Sequence, residues 1–141
     1  MAVFVDWQNL YKGARDAFHD DRAPSRLGMV DPVRLGQRLI QLSHGRDREL
    51  VDVVLAVDFV VMAVTRTYDV GILVSTDTDL VPALEAVVGL GGNRGPRAEV
   101  AAWTSSRGAP RLRVSQVRLW CHYLRVDDYR GMVDPTDYTI P

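Results

Sequence analysis

Short apolar runs that each give way to an acid-bearing polar segment constrain the fold of this chain more than any other feature. Ala2–Val5 is β-prone and leads into Asp6-Trp7-Gln8-Asn9; Val70–Val74 leads into Ser75-Thr76-Asp77-Thr78-Asp79. Uninterrupted apolar runs of this length, bounded by turn signals, suit strands buried on both faces of a parallel sheet. Glu99–Trp103 reads as a further strand. Helices fill the intervals. One is predicted from Asn9 or Leu10 to the polar, proline-marked loop His19–Ser25. Another starts at Asp31 as N-cap with Pro32 first in the helix, carries Leu35, Leu39, Ile40 and Leu42 on one face, and ends near Ser43–Gly45. Val51–Val64 is rich in β-branched residues, but about fourteen residues exceed the usual strand of ~5–6, which predicts a helix. A further helix is expected over Leu80–Leu90, capped by Asp79 or Thr78, with Pro82 in its first turn and Gly89, Gly91 and Gly92 at its end. Arg111–Leu124 is open between strand, helix, or one after the other. Strands alternating with helices predict an α/β fold, a three-layer α/β/α sandwich around a mainly parallel sheet, in a single domain over residues 1–141.

Composition narrows the function classes. The 141 residues are 47% hydrophobic and 25% charged with a formal net charge of −1, as in an ordinary globular domain rather than a protein that coats nucleic acid indiscriminately. Cys121 is the single cysteine, so no intrachain disulfide forms. The longest nearly uncharged stretch, Val51–Val64, falls short of the ~20 residues needed to span a bilayer, and the first residues read as a strand rather than a signal peptide. A cytoplasmic setting without a membrane partner is the expectation. Lys12 is the only lysine among 17 basic residues, and Glu49, Glu85 and Glu99 are the only glutamates among 18 acidic ones. Arginine in place of lysine suits phosphate contacts, although codon usage explains it as well.

In an open parallel sheet the ligand site lies at the carboxyl ends of the strands. Parallel strands would bring Asp6 and Asp77 to one edge. Converging carboxylates repel, and a hard cation such as Mg²⁺ or Mn²⁺ relieves that repulsion. Asp58, with apolar Val54, Leu55, Val61 and Met62 around it on a helix, is a third candidate, because a carboxylate among such neighbours is costly to bury. Asp52 reads equally as a helix cap; on one helix it would lie about 120° from Asp58.

At this point three motifs carry a resemblance. Val3-Phe4-Val5-Asp6-Trp7-Gln8-Asn9-Leu10, Val51-Asp52-Val53 with Leu55-Ala56-Val57-Asp58, and Ile72-Leu73-Val74-Ser75-Thr76-Asp77-Thr78-Asp79-Leu80 resemble the NYN domain, a branch of the PIN-like nucleases. The resemblance implies an acidic pocket and metal-dependent endoribonuclease activity. It matches Asp6 and Asn9 to the first motif, Asp52 and Asp58 to central-helix acids, and Asp77 and Asp79 to the last motif. The implied roles are Asp6, Asp52, Asp58 and Asp77 in catalysis, and Asp6, Asp58, Asp77 and Asp79 around Mg²⁺ or Mn²⁺. Asn9, Ser75, Thr76 and Thr78 would then face the RNA substrate. Three departures stand against the pattern. Glu49-Leu50-Val51 precedes Asp52 where the family usually has lysine and glycine, and Leu80 replaces a phenylalanine. The family's second strand has only the short, polar Ser43–Leu50 to occupy, so that strand is lacking or a segment is skipped.

Each feature has a plainer reading. Asp6 can be a turn residue, Asp77 and Asp79 can cap the helix near Leu80, and hydroxyls after a strand commonly form turns. Trp7 and Tyr11 can stack on bases or belong to the core. Arg107, Arg111, Arg113 and Arg118 suit a phosphate backbone or form a solvated face. Asp127, Asp128, Asp134 and Asp137 read as an acidic tail, either surface or the contact of a homo-oligomer. His19, His44, His122 and Cys121 lack zinc-ligand spacing, and Gly89–Gly95 lacks the Gly-Lys-Ser/Thr ending of a phosphate loop. Two alternatives accompany the nuclease expectation: a catalytically inactive RNA- or protein-binding domain, and a phosphohydrolase of the haloacid dehalogenase type, in which a strand-end aspartate is the nucleophile.

Overall fold

The structure is a computed structural model that describes residues 2–20, 22–42, 49–52, 55–92, 95–115 and 117–134. Among the described residues five strands form one parallel sheet: β1 (Ala2–Val5), β2 (Glu49–Asp52), β3 (Val70–Val74), β4 (Arg97–Trp103) and β5 (Trp120–Leu124). Their spatial order is β2-β1-β3-β4-β5, one of the common doubly wound orders. The register aligns Val5 with Asp52 on one side and with Val74 on the other, and Val74 with Ala101.

Helices cover both faces, and alternation along the strands assigns each side chain to one of them. Phe4, Leu73, Val100 and Ala102 pack against Phe59 and Ala63 of α3 (Leu55–Val64) and Leu84 and Val87 of α4 (Val81–Leu90). Val3, Val5, Ile72, Val74 and Leu124 pack instead on three helices. These are α1 (Trp7–Phe18) with Leu10 and Ala14, α2 (Pro32–Leu42) with Leu35 and Leu39, and α5 (Val126–Met132) with Tyr129 and Met132. This is the expected three-layer α/β/α sandwich. Among the described residues no helix is long and apolar enough to cross a membrane.

An aromatic cluster anchors β1 and β3 to α3. The Phe4 and Phe59 rings meet edge-on with centroids 4.9 Å apart, and Tyr68 closes the group at 5.7 Å from Phe4. Gly71 makes room for it: a Cβ there would lie 2.6 Å from Phe59 Cε2 and 2.8 Å from Tyr68 Cζ. The Tyr68 hydroxyl donates to the Phe59 carbonyl at 2.7 Å, and burial pushes its phenol well above the ordinary 10.0. The folded state therefore holds this proton longer than the unfolded chain, so stability is intact below pH 10 and declines as pH rises beyond it. Burial raises Tyr129 in the same direction. We expect the urea midpoint to fall between about pH 10 and 11 and to fall less steeply in Tyr68→Phe; equal slopes would remove Tyr68 as the cause.

Several expectations are corrected. Val51–Val64 is not one helix: Val51 and Asp52 end β2, and the helix begins at Leu55. β-branched Val51 pairs with Phe4 across the sheet, and strand and helix follow so closely that no glycine or proline separates them. The second strand that appeared to be lacking is therefore present at Glu49–Asp52. Helix α1 starts at Trp7, earlier than expected, because Asp6 is its N-cap. Trp7 packs against the core, the plainer of its two readings. The Arg111–Leu124 segment resolves into an irregular crossover with a Val114–Val117 bridge, followed by β5. Leu112 and Val114 turn into the core while Arg113 is exposed, so this stretch covers the sheet where a helix normally would.

The acidic tail contains α5. Asp128 accepts from the Arg125 amide at 2.8 Å and pairs with Arg38 of α2, its side chain 9% exposed, so it joins two helices rather than facing solvent. Asp31 caps α2 as expected, accepting from Val33 N at 2.8 Å and Arg34 N at 3.2 Å. The Ser43–Gly45 helix end, His44 and Asp137 lie outside the described residues.

Candidate active site at the carboxyl edge of the sheet

The chain leaves β1 through α1 and α2 on one face and leaves β3 through α4 on the other. Loops that diverge in this way between neighbouring strands open a crevice at their carboxyl ends, the usual ligand position in such sheets. Asp6 follows β1 and Ser75–Asp79 follows β3 at this point.

A hydrogen-bond network fuses the two segments. Asp6 Oδ1 accepts from the Asn9 amide at 3.1 Å, which caps α1. Asp6 Oδ2 accepts from Asn9 Nδ2 at 2.6 Å and from Ser75 Oγ at 3.0 Å. The Ser75 hydroxyl, in a residue 4% exposed, accepts in turn from the Asp77 amide at 3.0 Å. Thr76 Oγ1 donates to Asn9 Oδ1 at 2.9 Å. One hydroxyl thus bridges the Asp6 carboxylate to the Asp77 backbone, and the Asn9 amide is held at both ends. Among the described residues Asp6 accepts from neutral donors alone.

Asp77 also caps a helical turn, accepting from the Asp79 amide at 2.9 Å through Oδ1. A 3₁₀ turn, Thr78–Leu80, then feeds α4, so Asp77 caps that turn, while α4 itself starts after Leu80 without a side-chain cap from Asp79 or Thr78. Asp6, expected as a turn residue or a site acid, caps α1, and Asp77, expected with Asp79 as a cap, caps the turn before α4; both roles leave the two residues at one edge of the sheet. Asp79 and Thr78 are exposed. Asp58 is exposed as well, in the first turn of α3, which corrects the expectation of a buried acid: Val57 and Val61 beside it are also exposed, so Asp58 lies on the outer side of the helix and meets its positive end. Asp52 closes β2 beside Val5. Its placement on a strand removes the 120° argument against Asp58.

Among the described residues no three acids, histidines or cysteines gather into a metal-ligand group. Asp6 and Asp77 nevertheless fit Mg²⁺ or Mn²⁺ by donor chemistry. Both offer hard carboxylate oxygens, Asp77 Oδ2 lies outside the capping bond, and Mg²⁺ keeps several waters while taking only one or two protein carboxylates.

A cleft of about 420 Å³ adjoins the network. Asn9, Ser75 and Thr76 belong to both. Helix α1 lines it with Asn9, Lys12, Gly13, Asp16 and Ala17, a stripe at helical spacing, and the Ser105–Gly108 turn forms the opposite lip. Gly108 makes that turn possible with φ +120°, a conformation side chains rarely adopt. Sequence reading singled out Lys12 only for its rarity; the spacing from Asn9 through Lys12 and Gly13 to Asp16 was the available signal.

The dual role of Asp6 separates two substitutions. Asp6→Ala removes the α1 cap and strands the Ser75 and Asn9 donors, so it should cost about 1–2 kcal/mol in urea unfolding, whereas Asp6→Asn, an equally good cap, should cost less. Equal losses would show that the cap contributes nothing. Compared with known proteins, the chain matches no family model, no curated protein and no solved structure.

Proposed function

We propose that the chain is a metal-dependent endoribonuclease of the NYN, PIN-like type. The observation that carries this reading is that Ser75 ties the Asp6 carboxylate to the Asp77 backbone amide at the β1/β3 crevice. In it, Asp6 and Asp77 hold Mg²⁺ or Mn²⁺, with the exposed Asp58 and Asp79 and the neighbouring Asp52 assisting through water. When bound, the cation supplies positive charge to the phosphodiester and acidifies water. The protein residues do the rest. The Asp77 carboxylate takes one proton of the attacking water as the water oxygen bonds to phosphorus and one ester P–O bond breaks, and the leaving ribose oxygen takes a proton from solvent and departs as a hydroxyl. Ser75 and Asn9 keep the Asp6 carboxylate oriented, and Thr76 fixes Asn9. The setting that goes with this reading is the cytoplasm, with RNA as the partner.

The test is incubation of the purified protein with single-stranded and structured RNAs in Mg²⁺, Mn²⁺ or chelator. Cleavage in metal that stops in chelator is the expected result; a folded protein that cleaves none of them overturns the reading. A second reading, an RNA- or protein-binding domain without catalysis, is favoured by one observation: both Asp6 oxygens are engaged in hydrogen bonds within the network. Metal binding without cleavage is its signature.

A further inference from the structure

The cleft beside the acid network differs from it in chemistry. Its floor is apolar, formed by Gly13 and Ala17 of α1 and by the largely buried Trp103 at the end of β4, and its rim carries the exposed cations Lys12 and Arg107 together with Asp16, whose carboxylate is paired with Arg15. Gly13 lets the Trp103 ring lie close against α1, since a Cβ there would come within 3.2 Å of Trp103 Cδ1. The Trp103 indole is fixed by donating to the Leu10 carbonyl at 3.2 Å, and Arg107 ties the lip to α1 by donating to the Asp16 carbonyl at 2.9 Å. The walls are thus held on both sides before any ligand arrives.

An apolar floor under a basic rim matches the two halves of a nucleotide, a flat base and an anionic phosphate. The volume, about 420 Å³, lies toward the small end of ligand sites, suiting one nucleotide rather than several. Because Asn9, Ser75 and Thr76 line the cleft and also belong to the network, a nucleotide seated there is adjacent to the phosphodiester at Asp6 and Asp77. We propose that this cleft binds one unpaired nucleotide of the RNA strand, its base on the Gly13, Ala17 and Trp103 floor and its phosphate on Lys12. The strand then passes on the α1 side of the acids, and the cleft selects single-stranded RNA, since a paired base cannot enter it without leaving its partner.

The assignment rests on the ribonuclease reading for the identity of the strand, and its test separates the two. Fluorescence anisotropy of a labelled single-stranded hexaribonucleotide in chelator reads binding without cleavage, with a duplex of the same sequence as comparator. Wild type should prefer the single strand. Lys12→Ala should weaken it about tenfold, as loss of one charged contact does, and flatten the slope of log K against log salt by about 0.7. Lys12→Arg should restore most of the affinity. Lys12 is exposed, so neither variant disturbs the core. Affinity in Lys12→Ala equal to wild type, equal binding of the duplex, or no binding by wild type overturns the cleft assignment. Preferential, Lys12-dependent binding with no cleavage in metal upholds the cleft and overturns only the nuclease reading; cleavage with Lys12-independent affinity does the reverse.

Discussion

Asp77→Asn should lower the metal-dependent RNA cleavage proposed above by at least about a thousandfold, with little change in thermal stability. The two expectations come from different atoms of one side chain. Asp77 Oδ1 caps the turn into α4 by accepting from the Asp79 amide, and an asparagine carbonyl serves that bond about as well. What asparagine lacks is the negative charge and the basicity that the proposed mechanism asks of Asp77. Several kcal/mol of transition-state stabilisation depend on such charge, which gives the thousandfold figure. Single-turnover cleavage of end-labelled RNA, paired with a circular dichroism melt, checks both halves. A variant that cleaves at the wild-type rate removes Asp77 from the chemistry.

The largest effect on stability is expected far from solvent. Phe4→Ala should cost about 3–5 kcal/mol in urea unfolding, a large part of the ~5–15 kcal/mol that holds a domain of this kind together. Phe4 is fully buried, meets Phe59 edge-on and lies against Tyr68, so truncation leaves a cavity at the joint between β1, β3 and α3. Neighbouring aromatic rings cannot collapse into it without giving up contacts of their own. Because Phe4 lies two residues before Asp6, loosening β1 also loosens the support of the acid network, and activity should fall more than the folded fraction alone accounts for. A loss below about 1 kcal/mol would mean that the cluster does not anchor the sheet.

Much of this arrangement is legible in the sequence, and the parts that are not have identifiable causes. β1 and β3 read clearly because strands buried on both faces carry unbroken apolar runs. The Asp31–Pro32 start of α2 reads clearly because a cap followed by proline is a local signal. From those strands alone the convergence of Asp6 and Asp77 follows, as parallel neighbours must end at one edge. The β2–α3 junction is hidden because Val51 and Val60 are equally apolar, and the change of period between them spans too few residues to register. Asp58 illustrates a related failure: apolar neighbours suggest burial, yet Val57 and Val61 are themselves exposed and share the outer side of α3 with the acid. Helix α5 is short and its acids obscured it, although Arg125 and Asp128 stand at capping-box spacing and Tyr129 and Met132 at i, i+3. The cleft is a tertiary object. It arises only when the α1 stripe meets a turn about ninety residues later, and no local pattern encodes that meeting.

The central claim is that the β1/β3 crevice holds a divalent cation between Asp6 and Asp77. Mn²⁺ titrated into ¹⁵N-labelled protein tests it most directly, because a paramagnetic ion broadens the amide resonances nearest to it. The account predicts that Asn9, Ser75, Thr76 and Asp77 broaden first at substoichiometric Mn²⁺, and that Asp77→Asn abolishes this selective loss. First broadening around Asp127 on α5, or uniform broadening without a preferred site, would contradict it.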